Sequence, residues 1–170
     1  MKTRRFGKTN AMISEIGLGT WQLGTKWGEP FCAEEAQKIL DAAYDSGITF
    51  LDTADIYNDG NSELAISKIL KAHPDHFFVT TKIGRGLSPH TAEGYNKESV
   101  VRFTDGCLSR LSVEKLDLVL LHCPPTSVYQ KDEVFDALKN LPAKSPTTAS
   151  ASKKYPKALP PWNMIFPLWK

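Results

Sequence analysis

The stretch "FLDTADIYNDGNSE", residues 50–63, begins apolar, ends that run on Asp52 and passes through Asp55 and Tyr57 into an amphipathic segment. With Ile48 and Thr49 ahead of it, "ITFLDTAD" predicts a short buried strand. "SELAISKILKA" (residues 62–72) predicts a helix with Ser62 as its N-cap and His73-Pro74 as its stop. A strand this apolar needs cover on both faces, as in parallel α/β sheets.

The same alternation extends in both directions. Upstream, "FGKTN" (residues 6–10) places Gly7 and Asn10 between short strand-like pieces and predicts an N-terminal hairpin. "SEIGLGTWQLG" (residues 14–24) reads as a short strand ending in glycines. In residues 33–47, Ala36, Ile39, Leu40, Ala43 and Tyr44 fall at helical spacing, and Gly47 lies where a C-cap belongs. Downstream, "HFFVTTKIG" (76–84) and "LDLVLLHCP" (116–124) predict strands, and "ESVVRFTDGCLSRLS" (98–112) and "KDEVFDALKNL" (131–141) predict helices. Four strand–helix units in a row imply right-handed βαβ crossovers. Two architectures fit, an open doubly wound sheet and a TIM-type barrel, and "GLGTWQLG" is a poor dinucleotide fingerprint because no helix follows it at once.

Composition bounds the function. With 170 residues, 41% hydrophobic and 24% charged, the chain suits one soluble domain. A net charge of +2 gives no reason to expect nucleic acid. "MKTRRFGKTN" is basic, but no apolar run follows it, so it does not read as a signal peptide, and no stretch has the length of a membrane span. Cys32, Cys107 and Cys123 match neither a disulfide framework nor a metal site, which points to the cytoplasm.

The predicted strands end in polar groups: Asp52 with Tyr57 just beyond, then Lys82, then His122. Each has an ordinary reading alone, as a turn residue, a solvated strand end or a hydrogen-bonded core histidine. Together they place a carboxylate, an ammonium, an imidazole and a phenol on one rim, where a barrel keeps its active site. An ammonium beside a phenol favours the ionised phenol, which is what a proton donor near neutral pH needs.

"FLDTADIYNDGNSE", "VTTKIG" (79–84) and "LVLLHCP" (118–124), in that order, resemble the aldo-keto reductase family, and "RRFGKTNAMISEIGLGTWQLG" (4–24) resembles its N-terminal hairpin and first strand. The resemblance covers residues 1–141. It implies four of the eight units of a (β/α) barrel, a half barrel behind an N-terminal β-hairpin. It also implies NADPH-dependent reduction of a small carbonyl substrate by Asp52, Tyr57, Lys82 and His122, with Gly19, Thr20, Trp21 and Asp52 near the nicotinamide and no metal. Most of the NADPH site would fall in the half of the barrel that this chain does not supply. Asn58, where many members have glycine, is expected to matter little. Two other readings stay open: a non-enzymatic binding or regulatory subunit on the same scaffold, and an unrelated barrel isomerase or aldolase.

Residues 142–170 depart from this pattern. Residues 140–170 hold six of the eleven prolines and contain no glycine and no acidic residue. Read from the third base of each codon, the codons for residues 143–157 permit G-K-I-S-D-Y-G-V-S-V-E-K-V-S-E, which resembles what the family carries there. The tail is therefore expected to be frame-shifted sequence and not a domain. The chain is expected to be truncated, weakly active or inactive, and prone to self-association through open sheet edges.

Overall fold

The computed structural model describes residues 1–26 and 28–141, so the expectations for 142–170 lie outside the described residues. An antiparallel hairpin of β1 (Thr3–Arg5) and β2 (Met12–Ser14) opens the chain. The turn between them carries Gly7 at φ 53° and Asn10 at φ 60°, the left-handed backbone that glycine and asparagine tolerate best. Then come β3 (Leu18–Gly19), α1 (Ala33–Asp45), β4 (Phe50–Asp52), α2 (Asn61–Ala72), β5 (Phe78–Ile83), α3 (Lys97–Leu111), β6 (Leu118–Leu121) and α4 (Asp132–Lys139).

The four later strands form one parallel sheet in the order β3-β4-β5-β6. That order runs in sequence without reversal, and α1 packs on α2, α2 on α3 and α3 on α4. A doubly wound sheet would reverse its strand order and use both faces. This one winds in a single direction, as a barrel wall does, and among the described residues it does not close.

Strand alternation divides the side chains. Val79, Thr81 and Ile83 of β5 point to the helix layer and are buried, within a core that includes Leu40, Leu51, Ile66, Ile69, Val100 and Leu111. Phe78, Thr80 and Lys82 point to the concave face, Phe78 in register with Phe50 of β4 and Thr80 and Lys82 with Leu118 and Leu120 of β6. Cover on both faces is thus only partly realised among the described residues. At the base of the concave face the hairpin supplies Phe6, whose ring centroid lies 5.4 Å from those of both Phe50 and Phe78.

Helix ends follow local chemistry, with one correction. Asn96 caps α3 through a capping box with Ser99, and α2 stops at His73 as expected. Ser62, however, is not the N-cap of α2. Gly60, at φ 87°, holds that position. Ser62 lies buried in the first turn, where its hydroxyl donates to Thr20 O at 3.0 Å and accepts from Asn58 Nδ2 at 2.9 Å. Among the described residues no helix is long and apolar enough to cross a membrane.

Candidate active site at the strand ends

The hydrogen-bond ladder continues past the strand ends and fixes the polar rim. Thr20 N donates to Asp52 O, Asp55 N to Lys82 O and His122 N to Ile83 O, at 2.9, 2.9 and 2.8 Å. These bonds hold Asp52, Lys82 and His122 at the C-terminal ends of adjacent strands. Tyr57 enters from the loop between β4 and α2.

Lys82 organises the group. Its ammonium donates to the Asp52 carboxylate, to Thr53 O at 2.9 Å and to Tyr57 Oη at 3.3 Å. An ammonium has three hydrogens, so all are directed. Tyr57 Oη accepts from Lys82, which leaves its own O–H hydrogen free to point elsewhere. The same Nζ lies 5.0 Å from the Tyr57 ring centroid, and the His122 ring stands edge-on to Tyr57 at 5.8 Å. All four side chains singled out on the strand ends therefore meet in one cluster.

His122 is held below the ordinary histidine range. Burial is the main cause, and the positive charges of Lys82 and Arg85 add to it. A neutral imidazole carries one N–H donor and one acceptor nitrogen. Its Nδ1 is buried without a partner among the described residues. Tyr95, almost fully buried, donates its hydroxyl to His122 O at 3.0 Å, and its hydroxyl lies 2.9 Å from His90 Nε2. Burial raises the Tyr95 phenol to about 12. Its ring fills the space beside Gly84, where an added Cβ would lie 2.5 Å from Tyr95 Cε1 and where φ is +99°.

The residues considered for cofactor contact lie on the β3 side of the cluster. Gly19 pairs with Asp52 and has open space where a Cβ would be. Trp21, beyond it, is exposed. Thr20 is fully buried, and its hydroxyl donates to Asp52 O at 3.0 Å, so its side chain joins two strand ends.

Several residues of this site were not legible in sequence. Asn58 does more than the expectation allowed. At φ 49° it adopts the left-handed conformation, and its Nδ2 donates to Leu23 O at 3.1 Å as well as to Ser62. It thereby ties the loop carrying Tyr57 to the loop after β3. Asp55 is buried and accepts from Gly84 N at 3.2 Å, while its Oδ1 has no partner among the described residues. Burial is the main force that raises its carboxyl to about 6. A cavity of about 190 Å³ lined by Leu70, Phe77, Leu111 and Leu116 lies at the other end of the sheet, away from this cluster.

Comparison with known proteins identifies the fold. A model of the aldo/keto reductase family matches residues 15–144. An aldo-keto reductase of Bacillus halodurans, solved in its holo form, is 31% identical with a TM-score of 0.69, over 81% of this chain and 45% of that one. An aldo-keto reductase of Klebsiella pneumoniae, solved in complex with NADPH, is 29% identical with a TM-score of 0.63, over 81% and 44% of the two chains. A glycerol dehydrogenase of Gluconobacter oxydans is 28% identical with a TM-score of 0.64, over 81% and 43%. The chain thus spans less than half the length of these relatives. On the family match and the shared fold, the chain belongs to the aldo/keto reductase family.

Proposed function

We propose that residues 1–141 carry the proton-transfer groups of an NADPH-dependent reductase of small aldehydes and ketones, with Tyr57 as the proton donor. The observation that supports this most is the set of three hydrogen bonds from Lys82 Nζ, which fix the phenol oxygen as an acceptor and free its hydrogen. NADPH, when bound, supplies the hydride that reaches the carbonyl carbon. Gly19, Trp21 and Asp52 are the residues of this chain that would hold its nicotinamide end.

The protein's own groups manage the oxygen. As the carbonyl carbon becomes tetrahedral, negative charge develops on its oxygen. Tyr57 breaks its O–H bond and gives the proton to that oxygen. The phenolate left behind faces the Lys82 ammonium, which Asp52 and Thr53 O keep in place. A neutral His122 can donate one N–H to the same oxygen and orient it, and its low proton affinity keeps a second positive charge out of the site.

The test is NADPH oxidation with a panel of small aldehydes. It would be run on this chain and on a chimera in which residues 1–141 replace the matching part of the Bacillus halodurans enzyme. Turnover by the chimera that is lost in its Tyr57→Phe variant is the expected result. Equal rates for the chimera and that variant would remove Tyr57 from the chemistry.

A further inference from the structure

Behind the strand-end cluster lies a charged pair for which the chemistry above has no use. Glu63, in the first turn of α2, is fully buried. Its Oε2 accepts from Arg110 Nε of α3 at 2.7 Å, and its Oε1 accepts from the Thr81 hydroxyl of β5 at 2.6 Å. Thr81 precedes Lys82 and points to the opposite face of the sheet. The Arg110 side chain runs between two glycines. A Cβ at Gly60 would lie 2.7 Å from Arg110 Cδ, and one at Gly106 would lie 3.0 Å from Nη1. Gly60 closes the turn Tyr57–Gly60.

Stability alone does not account for this arrangement. Buried ion pairs are often matched or bettered by apolar residues of similar volume, because desolvation offsets the attraction. What the pair has that apolar packing lacks is direction. One carboxylate oxygen is tied to the strand that presents Lys82. The other is tied to a guanidinium lying directly under the loop that presents Tyr57. The loop itself needs holding, since Asn58, Asp59 and Gly60 all have positive φ, at 49, 53 and 87°. On the other face of β5, Lys82 Nζ and Tyr57 Oη meet at 3.3 Å. The two contacts grip one strand from both sides.

We infer that Glu63 and Arg110, through Thr81, are positioning residues that set the Tyr57 loop against the Lys82 strand and so fix the phenol–ammonium contact. The catalytic meaning of that contact rests on the proposed reductase reading, but the test below reads geometry and needs no turnover. A positioning role separates from a general contribution to folding because it predicts a local change in a protein that still folds.

The probe is the Lys82 side chain in the full 170-residue chain, observed by NMR. With Nζ 5.0 Å from the Tyr57 ring centroid, the ring current displaces the Lys82 ε-methylene protons, and Tyr57→Leu abolishes that displacement and calibrates it. In the double variant Glu63→Met/Arg110→Met the amide spectrum is expected to stay dispersed while at least half of the displacement disappears. A folded double variant with the full displacement would overturn the inference. Should the double variant fail to fold, Thr81→Val deletes only the hydroxyl that reaches Glu63. It is expected to keep the fold and lose a measurable part of the displacement, and an unchanged Lys82 signal in Thr81→Val would equally overturn it. Absence of reductase turnover in an unmutated chimera that shows the native Lys82 displacement would count against the reductase reading and not against this one.

Discussion

Tyr57 and Asp55 stand two residues apart and meet opposite demands. In the proposed reaction Tyr57 must release a proton. In the chimera that completes the barrel, Tyr57→Phe is expected to cut carbonyl reduction by about 10²–10⁴-fold, the usual worth of general acid catalysis, with NADPH binding nearly unchanged. Lys82→Met should be as severe, because it removes the ammonium that faces the phenolate and leaves Asp52 unpaired; steady-state rates and cofactor titration check both. Asp55 instead tends to keep its proton. Its rise from 3.8 to about 6 corresponds to about 3 kcal/mol of folding stability, present below pH 3.8 and lost as the pH climbs through 6. His122, pushed below the ordinary 6.5, has the opposite sign: the unfolded chain binds its proton more readily, so stability falls as the pH drops through 6.5. A single stability curve mixes the two. Asp55→Asn keeps an acceptor for Gly84 N, cannot ionise and leaves His122 in place. The difference in urea stability between the protein and this variant should therefore grow in the variant's favour by about 2.4 kcal/mol from pH 4 to pH 7. Parallel curves would show that Asp55 ionises as freely folded as unfolded.

At the scale of elements, the loop from β4 to α2 shows what a sequence pattern can and cannot convey. Strand and helix were legible because apolar periodicity is a local property. Asp52, Lys82 and His122 were legible because each ends such a run, and a strand end in this architecture is a rim position. The role of Asn58 was not. Its importance comes from carbonyls more than thirty residues away, and no local pattern records them. The Glu63–Arg110 pair, 47 residues apart, was hidden for the same reason. Ser62 was misplaced because a serine before an apolar run is the usual N-cap. Here three successive positive-φ residues delay nothing but start the helix from glycine, and the serine is drawn inside to meet Thr20. The loop yields its own prediction. Asn58→Gly relieves the left-handed backbone but loses the side-chain ties, whereas Asn58→Ala loses the ties and adds strain. Ala should be less stable than Gly by about 1 kcal/mol in urea denaturation. A variant pair of equal stability would mean that the backbone at Asn58 rearranges freely.

For the whole molecule, the direction of winding was legible and its completeness was a matter of counting units. The sequential strand order and the one-sided helix layer follow from three right-handed crossovers. How the concave face is covered could not be read, because that depends on what else occupies it. Among the described residues the cover is Phe6 on Phe50 and Phe78 at the base and the polar cluster at the rim. Among the described residues β3 and β6 have one neighbour each in the sheet. β3 is only two residues long and ends in Gly19, which makes it a weak template. β6 is "LVLL", four apolar residues with no second strand partner among the described residues, and Leu120 lies on the concave face beside Lys82. An apolar, flat edge of this kind pairs with other chains unless a charge, a proline or a cover blocks it. We therefore expect the 18.9 kDa chain to self-associate, with a sedimentation-equilibrium mass above the monomer that falls on dilution. Fusing residues 1–141 to a partner that continues the barrel should abolish the association by occupying the β6 edge. A monodisperse monomer over the whole concentration range would show that the edge is already covered within the chain.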